Sequence, residues 1–172
     1  MKIIAICGSL RARSSNLALL RTASKIAAEV EIYEGLASLP HFNPDDDEEG
    51  ATPPPAVAAL RELLANADGI LISTPEYAHG LPGSLKNMLD WLVSDGALVG
   101  KPVAILVASP TGGQFAQASL VETLRTMNWR VVGTWTATKK VRDEEVDGEV
   151  AGTIREALDR LSSCARRRAK HS

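Results

Sequence analysis

Short apolar runs alternate with longer amphipathic segments along the whole chain. Each run is bounded by turn-forming residues, a pattern typical of buried strands. The predicted strands cover residues 1–7, 30–34, 69–74, 102–109 and 130–137. Between them apolar residues recur at helical spacing. We expect a first helix from about residue 16, with Leu20, Ala23 and Val30 on one face, and further helices at 53–67, 82–93, 115–128 and 150–168.

Strictly alternating strands and helices predict a doubly wound α/β fold with right-handed crossovers. We expect a five-stranded parallel sheet in the order 2-1-3-4-5, with strand two at an edge. In such sheets ligands bind outside the carboxyl ends of the strands, where the strand order reverses. That point lies between strands one and three, so the loops after these two strands are the first place to look for chemistry.

Composition narrows the function classes. The chain has 172 residues, a net charge of -2, 45% hydrophobic and 4% aromatic residues. These values fit one soluble domain, and they give no basic excess or stacking platform for nucleic acid. The apolar runs are too short to insert into a membrane. Cys7 and Cys164 are isolated, so we expect free thiols, a reducing cytoplasm and no metal site.

The loop after strand one reads GSLRARSSN over residues 8–16 and leads into a helix. A helix N-terminus carries unpaired N–H groups and a partial positive charge, so it attracts anions. The loop adds hydroxyl, amide and guanidinium donors from Ser9, Arg11, Arg13, Ser14, Ser15 and Asn16. It matches neither the dinucleotide nor the P-loop glycine pattern. It therefore suits one phosphate monoester that is held and not transferred. The alternative interpretation, that the segment is only a helix cap with exposed arginines and binds no ligand, stays open.

The loop after strand three, within ILISTPEYAHGLPGSLKNMLDWL (70–92), offers a surface to a planar group. Pro75, Glu76 and Tyr77 come directly after the strand. Glu76 has no second carboxylate or histidine at a telling spacing, so a role as general acid or base is no better supported than backbone lining. His79 is most simply an exposed loop histidine. The loop after strand four carries paired glycines, which let backbone approach a ligand closely.

With this strand order, the first two loops flank one crevice. One loop supplies anion donors, and the other supplies an aromatic ring and prolines. A planar ligand with a single phosphate satisfies both, and flavin mononucleotide (FMN) fits that description. A dinucleotide is too long for one phosphate nest.

Two motifs resemble those of the NADPH-dependent FMN reductase family, which includes quinone, chromate and azo-dye reductases. They are GSLR-x-x-S-x-N at 8–16 and PEY-x-x-x-x-PG-x-LKN-x-x-DWL at 75–92. The resemblance extends over nearly the whole chain. It implies a flavodoxin-like three-layer sandwich, with residues 1–172 as a single FMN-binding domain and NADPH or NADH as cosubstrate.

The resemblance also assigns cofactor-binding residues. Those implied at the phosphate are Ser9, Leu10, Arg11, Ser14, Ser15 and Asn16. Those along the isoalloxazine ring, mainly through backbone, are Pro75, Glu76, Tyr77 and Ala78, and those closing the other side are Ser109, Gly112 and Gly113. Family members often carry Asn where this chain has Ala78. No residue is assigned as a catalytic nucleophile.

The implied activity passes hydride from NAD(P)H through bound FMN to quinones, free flavin or similar small acceptors. The family is commonly dimeric or tetrameric, and helix 82–93 is a plausible part of that contact. Three alternatives stay open: a non-enzymatic flavodoxin-type electron carrier, a flavin-free binding or regulatory module, and an enzyme that uses FMN as a dissociable substrate. Flavodoxin-type carriers tend to be strongly acidic because they dock redox partners, so the modest net charge of -2 argues against a carrier.

Overall fold

A computed structural model describes residues 1–138, 141 and 146–170. These residues form a five-stranded sheet in the order β2-β1-β3-β4-β5, with every neighbouring pair parallel. The strands are β1 Ile3–Cys7, β2 Val30–Tyr33, β3 Gly69–Ser73, β4 Pro102–Ala108 and β5 Arg130–Ala137. The helices are α1 Ser15–Ile26, α2 Pro55–Ala65, α3 Gly83–Leu92, α4 Gln114–Thr126 and α5 Gly148–Ala169. The predicted fold class and strand order are confirmed.

The central strands are almost entirely apolar because both faces of the sheet are covered. Every residue of β1 and β3 is buried, whereas β2 at the edge is only partly buried. On one face of the sheet, α2, α3 and α4 contribute core residues such as Leu60, Leu89 and Leu124. On the other face, α1 and α5 contribute core residues such as Leu19 and Ile154. The result is the expected three-layer sandwich.

Several element boundaries differ from the sequence prediction. Val30 begins β2 and does not continue the face of α1, because α1 already ends at Ile26. Helix α4 ends at Thr126, before the predicted residue 128. Asn128 has φ 58°, a left-handed conformation that stops the helix. Three short 3-10 turns, at Gly35–Ser38, Pro44–Asp47 and Gly96–Leu98, were not predicted.

Two polar residues in the second motif hold the connection between β2 and α2. Asn87 accepts from the N–H of Phe42 at 2.8 Å and donates to the carbonyl of Pro40 at 2.9 Å. The indole of Trp91 donates to the same carbonyl at 2.9 Å and meets the ring of Phe42 edge-on. Asn87 and Trp91 of the motif therefore stabilise the fold by holding this connection against α3.

The acidic run at 45–49 is exposed except at Asp47. The carboxylate of Asp47 accepts from Arg61 at 2.7 Å and from the hydroxyl of Ser94 at 2.7 Å. Among the described residues, no three histidine, cysteine or acidic side chains group as a metal site would require. None of the described helices has both the length and the apolar character needed to cross a bilayer.

Candidate functional site

The loops that follow β1 and β3 meet at the carboxyl edge of the sheet. The hydroxyl oxygens of Ser9 and Tyr77 lie 3.4 Å apart, at hydrogen-bonding distance. The hydroxyl of Ser84, in the first turn of α3, donates to the carbonyl of Gly8 at 3.4 Å. Both contacts follow from the pairing of β1 directly with β3. The two loops singled out from the sequence therefore border one crevice.

The N-terminus of α1 is suited to an anion. Ser14 is its N-cap, and the Ser14 hydroxyl accepts from the N–H of Leu17 at 3.4 Å. The first turn of α1, which the structure describes in full, contains no acidic residue. Arg11 and Arg13 are exposed beside it, and the N–H of Arg11 donates to Ser9 at 3.3 Å. Positive charge and backbone donors thus meet at one end of the crevice.

Two other helices, α4 and α5, already carry carboxylate caps. Glu76 accepts from the N–H of Phe115 at 2.8 Å and from the N–H of Ala116 at 2.9 Å in the first turn of α4. Asp147 accepts from the N–H groups of Glu149 and Val150 in α5. An anionic group would meet a fixed negative charge at either of these helix ends. The serine-capped end of α1 is therefore the better anion site.

Two of the predicted phosphate ligands have side chains engaged in structural contacts. The Oδ1 atom of buried Asn16 accepts from the hydroxyl of Ser73 and from the N–H of Ala108, each at 2.9 Å. The hydroxyl of Ser15 donates to the carbonyl of Val141 at 2.9 Å. Asn16 ties α1 to β3 and β4, so only its Nδ2 group remains suited to donate to a phosphate.

The loop after β3 ends in a tight turn. Tyr77 and Gly80 exchange backbone hydrogen bonds at 3.0 and 2.9 Å, and they enclose Ala78 and His79. Ala78 has φ 49° and His79 has φ 59°, the left-handed pair of a type I′ turn. Such positions favour Asn and Gly, which explains physically why Asn suits the position of Ala78. Tyr77 is 52% exposed, so its side chain is accessible to a planar ligand.

The loop after β4 forms the far side of the site. Gly112 at φ 95° and Gly113 at φ 63° adopt conformations that a side chain would strain. The hydroxyls of Ser109 and Thr111 lie 3.2 Å apart. Gln117 donates to the carbonyl of Gly112 at 2.7 Å and fixes the loop from the first turns of α4.

The cysteine nearest the site is not a nucleophile. Cys7 ends β1 and is buried, and that burial raises the pKa of its thiol above the ordinary value of 9.0. Thiolate is the reactive form of cysteine, so this residue is inert near neutral pH. Both cysteines are free and buried.

The crevice thus joins an anion nest, an exposed phenol ring and glycine-rich backbone at one edge of the sheet. These features fit the phosphate, the ring and the ring edge of FMN. The family model described as NADPH-dependent FMN reductase matches residues 1–143.

The chain belongs to the NADPH-dependent FMN reductase family.

Named relatives agree with this family assignment. A quinone reductase of Escherichia coli strain K12 is 42% identical over 115 residues, which cover 63% of this chain and 60% of that protein. An NAD(P)H-dependent FMN reductase of Pseudomonas aeruginosa is 37% identical over 123 residues, covering 69% of this chain and 64% of that protein. The chain thus spans about 60% of the length of the curated relatives it matches.

A solved structure agrees over almost the full length of both chains. FerB of Paracoccus denitrificans, a flavoenzyme NAD(P)H:(acceptor) oxidoreductase, has a TM-score of 0.70 and 26% identity, covering 95% of this chain and 98% of that one. An NADH:FMN oxidoreductase in its apo form has the same TM-score of 0.70 and 26% identity, covering 94% of this chain and 89% of that one.

Three features of the site were beyond sequence reasoning. The Glu76 carboxylate caps α4, the rings of His79 and Phe115 stack, and Gln117 anchors the loop after β4. Each joins segments that are distant in sequence or depends on loop geometry. The only sequence signal was the absence of a capping side chain before α4, where Gly113 occupies the N-cap.

Proposed function

We propose that this protein is an FMN-dependent NAD(P)H oxidoreductase that passes hydride from NAD(P)H to a quinone, free flavin or a similar small acceptor. The observation that carries the proposal is the 3.4 Å approach of Ser9 and Tyr77. It brings the loop that carries Ser9 and Arg11 beside the exposed Tyr77. The names of the family and of its relatives support the same activity.

The phosphate of FMN would lie at the N-terminus of α1. Ser9, Ser14 and Arg11 would donate to it, together with backbone N–H groups of Ser15 and Asn16. The N-cap and the first turn of α1 contain no carboxylate, in contrast to the carboxylate-capped α4 and α5. Leu10 is 59% exposed in the same loop and offers apolar surface beside the nest.

The isoalloxazine ring would lie between two backbone walls. Pro75, Tyr77 and Ala78 form one wall, and Ser109, Gly112 and Gly113 form the other. Bound FMN would supply the hydride-accepting and hydride-donating chemistry. The chain's own part is to hold the ring, to present backbone N–H groups to its polar edge and to leave one face open to NAD(P)H and the acceptor.

The test combines an absorbance scan with steady-state kinetics. We expect the purified protein, alone or with added FMN, to show bound-flavin absorbance and to oxidise NADPH or NADH with a quinone. No partner protein should be needed. A flavodoxin-type carrier would bind FMN but fail to oxidise NAD(P)H, and a flavin-free module would not bind FMN at all. Either result would overturn the proposal.

Two further parts of the proposal concern the assembly and its location. We propose a homodimer or homotetramer in the cytoplasm, with α3 in the contact between subunits. The exposed side chain of Val93, at the end of α3, supports an apolar contact there. Sedimentation of the purified chain tests the assembly, and a monomer at all concentrations would exclude it.

A further inference from the structure

Glu76 lies in the segment proposed to flank the flavin ring, but its carboxylate is engaged with another element. It accepts from the backbone N–H of Phe115 at 2.8 Å and from that of Ala116 at 2.9 Å. The N-cap of α4 is Gly113, which has no side chain to cap the helix. Glu76 therefore acts as the cap of α4 from a loop 39 positions earlier in the chain.

A second contact joins the same two elements. The ring of His79 stacks on the ring of Phe115 with centroids 4.2 Å apart and planes 24° apart. Between Glu76 and His79 lie Tyr77 and Ala78, the residues proposed to run along the flavin. The segment 76–79 therefore contacts α4 through its first and its last residue.

The turn needs such fastening because its conformation is unfavourable. Ala78 and His79 both have positive φ, which disfavours residues with a Cβ atom. Strained backbone of this kind persists only where the surrounding structure holds it in place. The described contacts that do so include the Tyr77–Gly80 pair, the Ser9–Tyr77 hydroxyl contact, the Glu76 cap and the ring stack.

We propose that Glu76 is a positioning residue, which sets the separation between the backbone walls at 75–78 and 109–113 by joining the first wall to α4. This inference rests on the proposed function. In this role the Glu76 side chain is an acceptor, since both N–H groups donate to its Oε2 atom. The positive end of α4 also offsets its charge.

Three variants of Glu76 separate the effect of side-chain length from the effect of the negative charge. Glu76→Gln keeps the length and an acceptor oxygen, Glu76→Asp keeps the charge but is shorter, and Glu76→Ala loses both. We expect FMN affinity, measured by quenching of flavin fluorescence, to fall about tenfold in Glu76→Ala. Glu76→Gln should retain more affinity than Glu76→Asp, because the contact depends on reach. Hydrogen exchange at the Phe115 and Ala116 amides should accelerate in the same order.

Asp147→Ala is the matched control. Asp147 caps α5 through two backbone N–H groups in the same manner, and α5 contains none of the residues proposed to flank the ring. We expect this variant to lower the melting temperature about as much as Glu76→Ala and to leave FMN affinity within about twofold of wild type.

The outcomes distinguish the inference from the proposed function. Faster exchange at Phe115 and Ala116 with unchanged FMN affinity would show that Glu76 is only a helix cap, and would overturn the inference alone. Greater retention of affinity in Glu76→Asp than in Glu76→Gln would also overturn it. A wild-type protein that does not bind FMN would overturn the proposed function, and the inference with it. If Glu76→Ala fails to fold, the FMN affinities of Glu76→Gln and Glu76→Asp still decide whether the inference holds.

Discussion

The hydroxyl of Ser9 lies 3.4 Å from the phenol oxygen of Tyr77, although 68 positions separate them in the chain. The contact exists because β1 and β3 are neighbours in the sheet, and Cys7 pairs with Ser73 at their carboxyl ends. Each strand ends in a loop, so the two loops must emerge side by side. The segment proposed to hold the phosphate and the segment proposed to flank the ring are thereby within reach of one ligand.

Arg11 should contribute to FMN affinity through its charge. Replacing it with Ala removes a charge-assisted hydrogen bond worth about 1.5–3 kcal/mol, so FMN should bind roughly 10- to 150-fold more weakly. Riboflavin, which lacks the phosphate, should bind as it does to the wild type. Fluorescence titration measures both. Arg155→Ala, which replaces an exposed arginine on α5, provides the same charge change on a helix that contributes no residue to the proposed site. Equal FMN affinity in Arg11→Ala and wild type would contradict the phosphate assignment.

Ala78 should be a source of backbone strain. Its φ of 49° is unfavourable for Ala, so Ala78→Gly should raise the free energy of unfolding. We expect a gain of about 0.5 kcal/mol, because relief of strain exceeds the added freedom of the unfolded chain. Urea denaturation checks it. The same exchange at exposed Ala58 within α2 should lower stability by about 1 kcal/mol. Loss of stability in both variants would mean that the turn is not strained at Ala78.

Gly113 should tolerate no side chain. Its φ is 63°, and a Cβ there would meet Val107 Cγ1 at 3.0 Å. Gly113→Ala should therefore destabilise the protein by about 1–2 kcal/mol. Gly152 lies within α5 with open space around it, so Gly152→Ala should stabilise by about 0.5–1 kcal/mol. Thermal unfolding of the two variants should give shifts of opposite sign, and shifts of the same sign would refute the geometry given for the loop after β4.

The thiol of Cys7 should make stability depend on alkaline pH. Burial raises the pKa of Cys7 in the folded protein, whereas in the unfolded chain the thiol ionises near its ordinary value of 9.0. Above that pH the unfolded state binds fewer protons, so this group lowers stability as pH rises until the folded pKa is passed. Urea unfolding at about pH 8 and about pH 10 should show a smaller loss in Cys7→Ala than in wild type. Equal losses would indicate an unshifted thiol.

The sequence was sufficient for the fold because its signals are local and repeated. Fully apolar runs such as Ile70–Ile72 predict strands covered on both faces, and the helices between them dictate parallel pairing. The strand order 2-1-3-4-5 is one that doubly wound sheets commonly adopt, so it could be expected once the alternation was recognised. The boundaries near Val30 and Asn128 were missed because helical periodicity runs past the residue where the backbone turns.

Side-chain partners in the site were less predictable, for a physical reason. The sequence supports a role for Glu76 as acid or base no better than one as backbone lining, whereas in the structure its carboxylate caps α4. Asn16 was assigned to the phosphate, and the structure places its Oδ1 atom against Ser73 and Ala108. Both contacts span separate βα units, and no local pattern encodes which donor a folded loop will reach.

The most direct test of the account is a parallel titration of the purified protein with FMN and with riboflavin, followed by flavin fluorescence. The two ligands share the ring and differ in the phosphate. If the N-terminus of α1 holds that phosphate while the 75–78 segment flanks the ring, FMN binds one per chain and at least about tenfold more tightly than riboflavin. Equal affinities, or no binding of either flavin, would contradict the account.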